Sequence, residues 1–402
     1  MVALRDDDES PTMMEPMRIP QDSDELGRLS ELAFSLAKRS AAFNAALPHG
    51  LAEPLSDFVR SMNCYYSNLI EGHNTHPVDI DRAMNNDYSS NKQVRDLQHE
   101  AKSHICVQKW IDDGNIKGKA ASVVSIINIH KLFIENLPDD MRWVEEPDTK
   151  RKEEVIPGEF RKSFAQVGRH ITISPGAVPR FLARFESAYS DLGDFETILT
   201  AAVAHHRLLW IHPFSDGNGR VTRLVSYAML SDALGTGGLW SIARGLARNS
   251  EVYKRSLAAC DAPRQGDRDG RGNLSLQSVT GFTAFFLRIC VDQVEFMEKL
   301  MEPKAVRARI LQWAEEERRY SNLPQSASKV LDAILFRGSL PRSEVPSVIG
   351  LSERSGHSLM KALSAHGIVK SEGARADWKI SFPAKLAARL MPSLYPEPKP
   401  VA

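Results

Sequence analysis

Residues 211–223 read Ile211-His212-Pro213-Phe214-Ser215-Asp216-Gly217-Asn218-Gly219-Arg220-Val221-Thr222-Arg223. They join two helical patterns. Upstream, Phe195, Ile198, Leu199, Ala202, Leu209 and Trp210 recur at helical steps, and the spacing predicts a helix over 194–211. Downstream, Val221, Leu224, Val225, Ala228 and Met229 repeat the pattern. Pro213 should close the first helix near His212, because the residue before proline is pushed out of the α region. Asp-Gly-Asn-Gly is turn chemistry, since glycine and asparagine accept positive φ at little cost.

The second helix, starting near Asn218 or Gly219, offers unpaired backbone N–H groups and the positive end of its dipole, a combination that binds phosphate. Arg220 and Arg223 stand three residues apart, share a helix face and could grip one anion. Asp216, on the loop, is placed to hold a divalent cation that shares phosphate oxygens. His212 can exchange a proton near neutral pH. A base, a metal carboxylate, a backbone anion hole and two guanidinium groups describe a phosphoryl- or nucleotidyl-transfer site. Two plainer readings stay open at this point. The turn could be only a turn beside a core histidine, or His205, His206, His212 and Asp216 could form a metal cluster. Against the cluster, adjacent His205 and His206 point apart on a helix, and Asp216 falls beyond its end. The chain lacks GxxxxGK[ST], so the usual P-loop is excluded.

The rest of the chain bounds this reading. Its 402 residues suggest two or three units with real cores, and 42% apolar with 25% charged residues is ordinary for a soluble protein. Lys+Arg and Asp+Glu are 51 each, which argues against a chain basic throughout. Cys64, Cys106, Cys260 and Cys290 lie far apart without a CxxC pair and read as reduced thiols. MVALRDDDESP lacks the apolar core of a signal peptide, and no apolar run reaches the ~18 residues of a membrane span. The expected setting is the cytoplasm, with no membrane partner.

Residues 1–22 are polar and without period, so a loose, disordered tail is expected. Helical patterns cover 25–74, 92–113, 119–136, 178–192, 251–262 and 275–318, with a break at His76-Pro77. Between 164 and 173, alternating residues around Gly168 predict a small hairpin. Residues 301–402 hold sixteen Lys and Arg against ten Asp and Glu. Helical patterns at 327–336, 342–349 and 352–366, then alternating pieces at 367–371 and 377–382, suggest a winged helix-turn-helix. The expected division is a tail (1–22), an N-terminal helical region (23–115), a catalytic core (116–300) and the winged helix (301–402).

The segment at 212–223 resembles the Fic family, whose motif is HxFx(D/E)GNGRxxR, and every fixed position is matched: His212, Phe214, Asp216, Gly217, Asn218, Gly219, Arg220 and Arg223. The resemblance extends over roughly 60–300. Pro157-Gly158-Glu159-Phe160-Arg161, followed by Val167-Gly168-Arg169-His170, looks like the family's flap, which aligns the target segment by main-chain pairing. Tyr253, with Asp261 eight residues on, resembles the position near the nucleotide base. Ser67-Asn68-Leu69-Ile70-Glu71-Gly72 fits the family's inhibitory motif (S/T)xxxE(G/N).

That resemblance implies a mainly α fold, with a Fic-type helical core, a hairpin flap and an appended winged helix. It implies protein adenylylation, the transfer of AMP from ATP to a Ser, Thr or Tyr hydroxyl on a target protein or on the chain itself. His212 would be the base and Asp216 the Mg2+ ligand. Gly217, Asn218, Gly219, Arg220 and Arg223 would hold the phosphates, with Glu71 taking Arg223 away from the γ-phosphate. Apart from the resemblance, a homodimer that covers the Glu71 helix is one assembly to expect. The same pocket run in reverse, with Glu71 positioning water, would remove AMP from a modified protein. A reading from another class makes the chain a nucleotide-sensing DNA-binding regulator, with Ser352, Arg354, Ser355, His357, Ser358 and Lys361 on its recognition helix.

Overall fold

Apolar residues return every three or four positions along most of this chain, and its computed structural model carries sixteen α-helices among the described residues, 4–48, 50–145, 152–236, 238–321 and 323–395. Helix α1 (Leu26–Ala46) and α2 (Ala52–Ile70) are separated by a turn containing Pro48, and α3 (Pro77–Met84) follows. After α4 (Lys92–Asp112) and α5 (Val123–Glu135) come two small antiparallel hairpins. The first pairs β1 (Trp143–Glu145) with β2 (Lys152–Glu154), and the second pairs β3 (Gln166–Val167) with β4 (His170–Ile171). Six helices complete the centre: α6 (Val178–Tyr189), α7 (Asp194–Ile211), α8 (Asn218–Leu234), α9 (Ile242–Arg248), α10 (Ser250–Cys260) and α11 (Leu276–Leu300). The C-terminal part holds α12 (Pro303–Tyr320), α13 (Ala327–Arg337), α14 (Val345–Ile349) and α15 (Glu353–His366). The hairpin of β5 (Val369–Lys370) with β6 (Lys379–Ile380) and the short α16 (Ala387–Leu390) finish it.

Helices α7 and α8 form the central antiparallel pair, with α1 lying along α11 and α2 wedged against α4, α8 and α9. Phe133, Phe181, Phe185, Phe214, Phe282 and Phe286 fill the space between them and are fully buried. No helix among the described residues is long and apolar enough to cross a membrane. Cys64, Cys260 and Cys290 are buried free thiols, with Cys106 partly buried.

Several expectations are corrected here. Residues 4–22 are a packed strap: Met14 and Met17 are buried, and Tyr189 donates its hydroxyl to the Met17 carbonyl at 2.7 Å. Asp6 and Glu15 pair with Arg180 and Arg184 on α6. The strap was read as loose because two isolated methionines make no period. The pattern over 275–318 is two helices, broken at Glu302-Pro303, where the Glu302 carboxylate caps α12. The expected break at His76-Pro77 is present, with His76 extended at φ −62° and ψ 136°, and Pro77 opens α3, since proline at a first helical position loses no needed hydrogen bond. The buried apolar residues form one cluster from Met14 to Leu394, so the division at 115 and 300 leaves no seam in packing. A charge shift along the sequence does not report where side chains meet.

The core also buries histidines. His104, His130, His205 and His206 are at most 2% exposed. Burial, the largest cause, pushes their imidazoles down to about 3, 4, 3 and 4 respectively. The unfolded chain takes up these protons near pH 6.5 while the folded chain does not, so the unfolded state binds more protons below that point. Their contribution is intact above pH 6.5 and is lost as pH falls toward 4. Thermal unfolding followed by circular dichroism should therefore show Tm dropping by several degrees or more between pH 7 and pH 5. An unchanged Tm over that window would contradict the neutral burial of these rings.

Candidate active site

The turn between α7 and α8 is shaped by three backbone choices. His212 ends α7 in the left-handed region, with φ 50° and ψ 62°, a conformation uncommon for a residue with a side chain. Gly217 begins α8 with φ 78°, which glycine adopts without strain. Between them, Asn218 clamps the loop on itself. Its Oδ1 accepts from the Phe214 N–H at 3.0 Å, and its Nδ2 donates to the Phe214 carbonyl at 2.8 Å. Both atoms of the Asn218 amide are thus engaged by the Phe214 backbone. Phe214 is held from its other side by His130, whose ring stacks on it at 3.8 Å and 3°. The Gly158 N–H donates to His130 Nδ1 at 3.0 Å, tying in the segment before the flap.

The first backbone N–H groups of α8 precede its first intrahelical bond, from the Val221 N–H to the Gly217 carbonyl at 2.9 Å. A carboxylate of the chain, that of Glu71, lies close to this helix start. Helix α2 stops because Gly72 takes φ 88°, with the His73 N–H donating back to the Asn68 carbonyl at 2.9 Å. Glu71, at that terminus, turns its carboxylate toward α8. Arg223 Nη2 donates to Glu71 Oε1 at 2.6 Å and to the Ser67 carbonyl at 3.1 Å, while Nε donates to Ser67 Oγ at 2.8 Å. A Cβ on Gly219 would lie 2.3 Å from Glu71 Oε1, so this close seat needs glycine. Burial pushes the Glu71 carboxyl up, but Arg223, together with Arg220 and His73, outweighs it and holds the group below its ordinary value.

Arg220 is differently placed. Its Nη2 donates to Glu100 Oε2 at 3.2 Å and lies 3.0 Å from His73 Nδ1, which is itself 2.7 Å from the same carboxylate oxygen. The Glu100 hydrogen bond raises His73 above its ordinary range. Arg220 Nε is buried without a partner among the described residues. Glu71, His73, Glu100, His212, Ser215, Asp216, Gly217, Asn218, Gly219 and Arg220 line one cavity of about 320 Å³. That is the small end of the range for ligand sites, with Glu71 occupying part of it. Burial, and next Arg161, push His212 down to about 4, so its imidazole is neutral at pH 7. Asp216 is exposed at the mouth, with no ion pair among the described residues.

Tyr253 and Asp261 do not line this cavity. Tyr253 is 2% exposed, and its hydroxyl lies 2.7 Å from His205 Nε2. Ser226 spends its proton on the Thr222 carbonyl, so His205 donates to Ser226 through Nδ1, and Tyr253 donates to Nε2. Asp261 Oδ1 lies 3.0 Å from His206 Nε2. A tyrosine on the inner face of α10 has become core, as helical tyrosines commonly do. The same bonds disperse the imagined metal cluster, and no group of three metal-binding side chains occurs among the described residues. In the flap, Val167 pairs with His170 across Gly168 and Arg169, and Gly168 has φ 61°. Val167 and Ile171 are exposed, whereas His170 folds inward, its Nε2 2.8 Å from the Trp210 carbonyl.

Sequence reasoning did not single out Glu100, His73 or His130, and named Arg161 only as part of the flap segment. Two signals were available. Glu100 and His104 stand on the same face of α4 as Leu97 and Ala101, and His130 interrupts the apolar face of Ile126, Ile129 and Phe133 on α5. A polar group in an apolar stripe asks for a partner.

The Fic/DOC family model matches residues 121–230. The chain is 42% identical over 81 residues to the protein adenylyltransferase Fic of Culex quinquefasciatus, covering 20% of this chain and 16% of that protein. It is 42% identical over 78 residues to the protein of the same name from Aedes aegypti, covering 19% and 16%. The matched part therefore spans about a sixth of the length of these relatives. A crystal structure of a Fic family protein from Desulfovibrio desulfuricans G20 superposes with a TM-score of 0.53 at 15% identity, covering 90% of this chain and 98% of that one, a likeness of fold. On the motif, the cavity and these matches together, the chain carries a Fic/DOC-family domain.

Proposed function

We propose that this chain is a protein adenylyltransferase, transferring AMP from ATP to a Ser, Thr or Tyr hydroxyl of a target protein or of itself, and that Glu71 restrains it. One observation carries the reading. A neutral imidazole, a free carboxylate, a guanidinium and a helix N-terminus converge on one cavity, and Glu71 sits in it against Gly219, where phosphate would lie.

In this reading the N–H groups at the start of α8 and the Arg220 guanidinium receive the phosphates of ATP. Asp216 suits Mg2+, because one free carboxylate beside phosphate oxygens is the donor set that ion favours. When bound, the ion neutralises charge on the phosphates. A target segment lies along the exposed edge of the β3–β4 hairpin, which brings its hydroxyl to His212. His212 takes the hydroxyl proton, the oxygen forms its bond to the α-phosphorus, and the bond from that phosphorus to the bridging oxygen breaks, releasing pyrophosphate. The depressed basicity of His212 keeps it ready to accept a proton at neutral pH. With Arg223 held by Glu71 and Ser67, the γ-phosphate lacks its cation, and seating is unproductive.

Residues 327–382 are read as a winged helix whose role includes holding α2. Lys370 pairs with Asp57, Lys379 with Glu53 at 2.6 Å, and Phe382 packs on Phe58 at 5.9 Å. Tyr66, beside Ser67, donates its hydroxyl to the Leu394 carbonyl at 2.6 Å. Arg354, His357, Ser358 and Lys361 remain exposed on α15, where any contact with DNA would be sought.

With α-labelled ATP, Glu71→Gly should raise self-labelling or labelling of extract proteins at least tenfold over the parent. A variant as quiet as the parent would remove Glu71 as the restraint. In that background His212→Ala should lower transfer by at least 10²-fold, the scale of general-base help, while ATP affinity stays within about threefold. Turnover that survives the substitution would exclude His212 as the base.

A further inference from the structure

Arg161 lies outside the Fic motif, yet it touches that motif's histidine through the main chain. Its side chain is 1% exposed and makes no ion pair with a described residue. It spends four guanidinium contacts on backbone carbonyls instead. Nε donates to His212 at 2.8 Å, Nη1 to Ser163 at 2.9 Å, and Nη2 to Ile173 at 2.7 Å and to Ile211 at 3.4 Å. The Arg161 backbone N–H donates to the Pro213 carbonyl at 2.9 Å. His170, on β4, meets the carbonyl before these, Trp210, at 2.8 Å.

The pattern has a simple physical meaning. The last carbonyls of a helix lack intrahelical partners and carry the negative end of its dipole. Here the carbonyls of residues 210–213 are all met by the flap segment, two of them by one cation. Ser163 and Ile173 stand on the two sides of the β3–β4 hairpin, so the same guanidinium also closes the hairpin's base. His212 must hold φ 50°, which costs energy unless its surroundings over-determine it. A planar fork with five donors in fixed directions can do so, and an ammonium cannot to the same degree.

We propose that Arg161 is a positioning residue, fixing the backbone at His212 and the register of the flap as one rigid unit, so that base and target hydroxyl are aimed together. The proposal rests on the transfer reading above for its kinetic consequence, and on geometry alone for the coupling. Arg161 touches neither substrate nor reacting atom. It acts through His212.

The test uses the full chain carrying Glu71→Gly, with Arg161→Met and Arg161→Lys added separately. With α-labelled ATP, Arg161→Met should lower the maximal labelling rate about 10²-fold, the cost of misplacing a reacting group by about an ångström, with the ATP KM within about threefold. Arg161→Lys should recover part of that loss. A maximal rate within about threefold of the Glu71→Gly parent, or a fall matched by an equal rise in KM, would overturn the proposal. If the Met variant does not fold, the Lys variant decides it, through a rate about tenfold lower at unchanged KM or a rate equal to the parent. Hydrogen–deuterium exchange gives a readout independent of turnover. Arg161→Lys should speed exchange at 164–173 and at 211–217 together, with α11 unchanged. Faster exchange in one segment alone, or in neither, would refute the coupling. A Glu71→Gly parent that never labels would strike the transfer reading, and the exchange result would still decide the role of Arg161.

Discussion

The start of α8 carries a carboxylate of the chain against it, and the rest of the site is arranged around that pair. Its free N–H groups and two arginines create a positive field at the Asp216–Arg223 turn, and the Glu71 carboxylate, 2.6 Å from Arg223, fills part of it. Taking away one partner of a half-buried pair leaves the other charge short of compensation, which is a general route to a switch. The close approach to Gly219 makes the seat specific. A side chain there would displace the carboxylate. Helix α2, which carries Glu71, is fastened along its length by groups far off in sequence, from Lys379 and Lys370 to the carbonyl of Leu394. A restraint carried at the end of a helix is only as firm as the helix.

The two motif arginines divide the work. Arg223 has Nε and Nη2 engaged by Ser67 and Glu71, whereas Arg220 is anchored at Nη2 by Glu100 and keeps other donors for a ligand. In the proposed reading, one guanidinium is withheld from ATP and the other is offered to it. On the opposite side of the cavity, the flap and the catalytic turn share their hydrogen bonds through Arg161, His170 and His130. The cavity thus lies between two sets of contacts, the flap bonds around His212 and the Glu71–Arg223 pair.

Much of this was legible in 211–223. Pro213 and the Asp-Gly-Asn-Gly run located both helix ends, because φ preferences are local, and Gly217 takes the positive φ expected of that run. Glu71 was legible only through its hexapeptide, and its meeting with Arg223 joins residues 152 positions apart. What failed was long-range. Tyr253, in the first turn of α10, and Asp261, at its C-terminal cap, meet His205 and His206, and nothing in their spacing reports that. The strap at 4–22 was missed because Met14 and Met17 bind by burial against distant helices, without a period of their own. The sequence also does not reveal that Phe214 backbone groups take both amide atoms of Asn218.

The central claim is that a carboxylate of the chain and the γ-phosphate of ATP compete for Arg223. The direct measurement is a crystal structure of Glu71→Gly with ATP and Mg2+, set beside wild type under the same soak. The account predicts γ-phosphate oxygens within hydrogen-bonding distance of Arg223 in the variant, and Glu71 still on Arg223 in wild type, with the triphosphate displaced or absent. A triphosphate seated alike in both, with Glu71 undisturbed, would contradict it.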